Sequence, residues 1–366
     1  MAALSGATTS ALYLTVKPRI RNPEAEAAFS RGLVFSQRRT AEGVTGSIRE
    51  FKQATELEPG WADAWANLAE AYSAASNAEL MDPLSALKQA EVAAKRAIDC
   101  DGRPARGHGA LAVVRSLDLD QWPTAEAEFR RAIELNPEDP NVLLSYVVHL
   151  RKLGRFREAE NYLNAADQHS RSPDPKLLAE RAFLAFTGRK PDRFKVDVQR
   201  AHELFPNEAV IELLMARSLQ LEGRFDEAMK KLDYVEQLGL NRATVLVYKA
   251  SVAAAMKQTN QAIDLATEVE RIGQNRPIDG LLLAGVYAQI GKFDKAFETI
   301  HRAYQRRDST LISIATSPFM DYLRSDRRFQ DWLERLHFTN QIMHKMEFNS
   351  SSANGLFSQP SRIGTS

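Results

Sequence analysis

The sequence predicts an all-α solenoid of about eight helix pairs, finished by a C-terminal capping helix. Three observations carry that prediction. Gly154-Arg155-Phe156 leads to Ala159, Gly223-Arg224-Phe225 to Ala228, and Gly291-Lys292-Phe293 to Ala296, so the glycines stand 69 and 68 residues apart. Between them Ala125, Ala159, Phe194, Ala228, Ala262 and Ala296 step by 34 or 35 residues, and Ala132, Ala166, Ala201, Val235, Val269 and Ala303 keep the same beat. Finally, Trp65, Leu68, Ala69 and Tyr72 sit at i, i+3, i+4 and i+7, one face of a helix. A 34-residue period is the pitch of a repeated helix hairpin.

Length counts repeats in such a chain, because each hairpin buries its apolar face only on its neighbours. The 366 residues therefore need not divide into ordinary domains. Residues 1–22 form a leader: Ala2 to Val16 carries no charge, is rich in Ser and Thr, and precedes Lys17, Arg19 and Arg21. It is shorter than the roughly 20 apolar residues of a spanning helix. Two readings stand for it, a disordered leader or the end of a truncated membrane anchor. The array occupies 23–307, a capping segment 308–346, and a disordered tail 347–366, where Ser350, Ser351, Ser352, Gly355, Pro360 and Gly364 cluster.

The opening unit carries Gly32, Ser47, Phe51, Ala54 and Pro59, with extra residues in its turn. In the second, the Trp65 helix pairs with one bearing Ala90, Ala94 and Ala97, small side chains that let two backbones approach. Its connection, 73–83, reads as an insertion. The third pairs Leu111 and Ala112 with Ala125, Phe129 and Ala132, and Trp122-Pro123 opens its second helix, where proline's missing donor costs nothing. Gly154, Gly223 and Gly291 then mark the ends of first helices, sites that favour a left-handed backbone. Phe156, Phe225 and Phe293 follow two residues on, expected to pack between paired helices, and Pro59, Pro137 and Pro206 stop the second helices. The unit from Pro173 to Pro206 has Phe194 and Val198 at its second-helix positions, and the one near Tyr248 has Lys257 in place of the turn glycine.

From about Asn22 to Gln305 these residues resemble the tetratricopeptide repeat (TPR), with Trp65-Leu68-Ala69-Tyr72 and Ala125-Phe129-Ala132-Pro137 fitting its pattern well. The stretch from Ser317 to Phe329 resembles the segment closing such arrays in multidomain bacterial regulators with winged-helix, cyclase or protein-kinase domains. Phe329, Trp332, Leu333 and Leu336 give it an apolar helical face suited to a cap.

Catalytic chemistry is not signalled. Neither a phosphate-binding glycine loop nor HExxH, paired CxxC or a nucleophile elbow occurs, so the chain reads as no enzyme, with no cofactor and no metal. His337 and His344, seven apart, lack a third ligand, and Cys100 reads as a packing thiol. With 48 Lys+Arg against 47 Asp+Glu the net charge is +1, which disfavours direct nucleic-acid binding and an acidic membrane face. Arg302, Arg306, Arg307, Arg324, Arg327 and Arg328 could engage phosphate or an acidic partner, but the interleaved Asp308, Asp321 and Asp326 favour a solvated basic end.

The resemblance implies a right-handed α-α superhelix whose concave wall is lined by the first helix of each pair. Its groove-facing places fall on Asp63, Ala66 and Glu70, then on Leu144, Val148 and Arg151, on Phe183 and Phe186, and on Val210, Leu213, Arg217 and Gln220. Leu144 and Val148 replace the Lys and Asn with which chaperone-binding relatives clamp a terminal carboxylate, so an apolar or amphipathic protein segment is the expected partner, and no small molecule. Two functions remain open: a stand-alone scaffold, cytoplasmic by default, or the sensor and assembly region of a membrane-tethered regulator whose effector lies upstream or on another chain.

Overall fold

The computed structural model describes residues 21–38, 40–77, 80–100, 104–170, 172–274 and 278–346. Sixteen helices form eight antiparallel hairpins. They are α1 (Pro23–Ser36) with α2 (Ala41–Leu57), α3 (Ala62–Asn77) with α4 (Pro83–Asp99), α5 (Pro104–Leu117) with α6 (Ala125–Leu135), and α7 (Pro140–Lys152) with α8 (Phe156–His169). Then come α9 (Pro175–Thr187) with α10 (Pro191–Leu204), α11 (Ala209–Leu221) with α12 (Phe225–Gln237), α13 (Arg242–Ala255) with α14 (Thr259–Ile272), and α15 (Gly280–Gln289) with α16 (Phe293–Gln305). Past these lie 3-10 turns at Ser309–Ser313 and Pro318–Leu323, α17 (Arg327–Arg335) and α18 (Asn340–Lys345). Both the expected leader, apart from its last two residues, and the expected tail lie outside the described residues.

Local chemistry sets each start and stop. Asn22-Pro23, Asp82-Pro83, Asp139-Pro140 and Asp174-Pro175 begin helices with a side chain accepting from a first-turn backbone N–H and a proline where no donor is needed. Leu57, Leu135 and Leu204 end theirs two residues before Pro59, Pro137 and Pro206. Gly154, Gly223 and Gly291 adopt φ of 68°, 77° and 77°. The following N–H reaches back to close the helix, Arg155 to Leu150 O, Arg224 to Leu219 O and Lys292 to Tyr287 O, at 2.9–3.0 Å. Arg189 and Lys257 hold the same left-handed turn at φ 56° and 61°, although each carries a Cβ. Interhelix contacts in the stack therefore outweigh a local penalty of about 1–2 kcal/mol.

The two ladders are the core. Every member of both is buried, from Ala125 and Ala132 through Ala296 and Ala303. Two sequence expectations change. The 73–83 insertion is mostly helix, since α3 runs through Asn77 and leaves only 78–82 as connection. Of the three turn phenylalanines, Phe156 is buried beside Gly188 of the next hairpin, whereas Phe293 is 41% exposed because no ninth hairpin covers it among the described residues.

The C-terminal segment does more than abut the last hairpin. Trp332 on α17 meets the ring of Tyr304 on α16 at 5.5 Å, as an end cap would. Residues 309–323 pack against α15 instead and run along the inner wall. Beyond α17 the chain reaches the third hairpin: the Trp122 Nε1–H donates to Leu336 O at 3.0 Å, and its ring lies 5.0 Å from that of Phe338. Arg307 joins Asp118 and Asp120 at 2.9 and 2.7 Å. The superhelix thus curls far enough for its end to touch its third unit.

Candidate functional site

Curling leaves a central channel with a volume of about 510 Å³. Its wall is built from first helices, through Val113 on α5, Val148 and Lys152 on α7, Phe183 on α9, Tyr248 on α13 and Leu282 on α15, and its remaining side from the C-terminal segment. First helices pack side by side along this face, α5 on α7, α7 on α9, α9 on α11, α11 on α13 and α13 on α15.

The structure divides the nine residues expected at the groove. Val148, Arg151, Phe183 and Phe186 line the channel together. Leu144 and Val210 are half-buried and pack against the interhelix core. Leu213 is corrected to a core residue, packed among α11, α12 and α13. Arg217 and Gln220 are likewise buried, not open, because α13 and Phe319 cover them. At the other end, Ala66 is fully buried, while Asp63 faces Arg106 at 3.4 Å and Glu70 lies 3.9 Å from the same guanidinium.

Charges on the wall are unevenly matched. Arg151 pairs with Glu180 and lies over the Phe183 ring at 5.3 Å. Lys152 has no carboxylate within ion-pair distance among the described residues, and burial, with Arg151 beside it, pulls its pKa down to about 8. Opposite, Asp279 and Asp308 cap the starts of α15 and the 309–313 turn. Burial, then their mutual repulsion, pushes Asp279 up to about 7.

Arg217 is the least compensated of these groups. Only 2% exposed, it donates from Nη1 to Gln220 Oε1 at 2.5 Å and to Ser251 Oγ at 3.2 Å, while Nε and Nη2 find no acceptor in hydrogen-bond geometry among the described residues. Its guanidinium lies between two rings, 4.6 Å from Tyr248 and 4.4 Å from Phe319. Burial lowers its pKa to about 10.

Sequence reasoning missed Lys152, Arg189, Trp122 and Phe319. Lys152 adjoins a predicted groove position, so its neighbour was the available signal. The others act through contacts more than 100 residues apart, which no spacing records. Among the described residues no cluster of three or more His, Cys, Asp or Glu could hold a metal, and no helix is long and apolar enough to cross a membrane.

The tetratricopeptide repeat profile matches residues 116–181. The chain is similar to the type IV pilus assembly protein PilF of Pseudomonas aeruginosa, 25% identical over 186 residues, which is 50% of this chain and 73% of that one. Among solved structures, yeast Tom70 aligns at a TM-score of 0.50 with 18% identity, over 86% of this chain and 69% of that one. Human IFIT1, solved as a dimer with m7Gppp-AAAA, aligns at 0.50 with 14% identity, over 90% and 88%. At these identities the structural likeness concerns the fold alone. Ladders, left-handed turns and the profile match over 116–181 agree: the fold is an all-α solenoid of the tetratricopeptide-repeat type.

Proposed function

We propose that the chain is a non-catalytic scaffold that takes an extended or helical segment of a partner protein into its central channel. One observation carries this reading. Val148, Arg151 and Phe183 stand side by side on one wall, with Lys152 beside them and outside ion-pair distance of any carboxylate among the described residues. An apolar floor with basic groups set into it suits an amphipathic segment bearing some acidic side chains. The similarity to PilF, by its name a type IV pilus assembly protein, is compatible with such binding.

A photo-crosslinking residue at Val148, compared with one at exposed Val196 on the outer helix α10, tests the channel. Crosslinks to a partner chain from Val148 alone are the expected result. Equal crosslinking from Val196 would move the binding surface to the convex face.

A further inference from the structure

Part of the inner wall already has an occupant, and that occupant has a definite chemistry. Phe319 lies 5.8 Å from the Phe186 ring and 4.4 Å from the Arg217 guanidinium. The fit depends on Gly285, where a Cβ would come within 2.6 Å of the Phe319 Cβ. Two residues on, Asp321 accepts from Arg189 Nη2 at 2.5 Å and Nε at 3.2 Å, in a forked pair, and from Arg324 Nε at 2.6 Å. An aromatic ring on one arginine and a carboxylate on the next thus hold the segment in place.

The occupant is incomplete. It covers Arg217 with a ring but places its carboxylate on Arg189, so two buried donors of a cation stay unpaired among the described residues. Each such buried, unpaired donor disfavours the closed arrangement. A segment bringing a carboxylate to Arg217 as well would recover that loss. It has to recover something, because the resident segment is tethered and competes at an effective concentration on the order of millimolar.

Resting on the channel reading above, we propose that Ser317–Arg324 is a stand-in for a partner segment of related chemistry. That partner carries an aromatic residue flanked by carboxylates, displaces the resident segment, and pairs with both Arg189 and Arg217. The solenoid is closed without it and open with it.

Two fluorescein-labelled peptides serve as probes, one copying Thr316–Arg324 and one with Glu at both positions beside the phenylalanine. Each is titrated by fluorescence anisotropy with the full chain carrying Phe319→Ala, whose seat is vacated. The acidic peptide should bind at least tenfold tighter than the copy, and adding Arg217→Met should erase that gain. Affinity for the unsubstituted chain should be at least tenfold weaker than for Phe319→Ala. Equal affinity for the two peptides, or a gain that survives Arg217→Met, overturns the proposal. Should Phe319→Ala reduce helicity, Gly285→Ala evicts the same ring by contact and takes its place in the titration. Failure of the peptides leaves the Val148 crosslink standing, whereas loss of that crosslink with peptides still bound removes the wider channel reading alone.

Discussion

Replacing Asp321 with Asn keeps the shape of the side chain and removes the charge that joins the C-terminal segment to the inner wall. The carboxylate is 7% exposed, and its partners Arg189 and Arg324 are nearly as buried, at 13% and 10%. Breaking one member of a buried ion pair costs about 3–5 kcal/mol, mostly because the remaining charge is left unpaired. Asn retains one acceptor oxygen, so the lower end, about 3 kcal/mol, applies here. In a repeat array each unit feels chiefly its neighbours, so the loss stays near the site. About 3 kcal/mol corresponds to roughly a hundredfold in an opening equilibrium. Amide hydrogen exchange across 309–346 should therefore quicken by about that factor in the variant, while α3 and α4 keep their protection. An acceleration below about threefold would show that the ion pair does not hold the segment. Equal acceleration in α3 would show that the segment is an integral part of one cooperative core.

Three further outcomes follow from single residues. Lys257→Gly, at a left-handed position where Lys now sits, should raise stability in urea by about 0.5–1 kcal/mol, the αL penalty of a Cβ less the extra chain entropy of glycine, and a loss of stability would contradict the turn assignment. Trp122→Phe keeps a ring against Phe338 but leaves Leu336 O without its donor, so stability should fall by about 1–3 kcal/mol, with the exchange of 336–343 rising first; a fall confined to α5 and α6 would separate Trp122 from the closure. His149 is 1% exposed beside Phe129, and burial depresses its pKa to about 3. The unfolded chain takes up a proton below about pH 6.5 and the native one does not until about pH 3, so this contribution falls with acidification by about 1.4 kcal/mol per pH unit. Relative to His149→Leu, the protein should lose about 3 kcal/mol of stability between pH 6.5 and pH 4 in denaturant titrations; parallel curves for the two would refute the burial argument.

Two kinds of residue meet at the site. Val148, Arg151 and Phe183 were placed on the inner wall by repeat register, since the direction of a helix face follows from position within a unit. Leu213 occupies a corresponding register and is nevertheless core, because α13 closes over it. Arg217 is the intermediate case, on the correct face but beneath Phe319.

The repeating part was legible in the residues alone: the hairpins, their caps, the left-handed turns and the buried ladders. Each of these is settled by residues within one or two units of each other, so a 34-residue beat records them. How far the solenoid curls, and what fills it, follows from packing between distant units. Curvature accumulates from small rotations at every interface, and those rotations alone bring Trp122 to Leu336, 214 residues away, and seat Phe319 over Arg217.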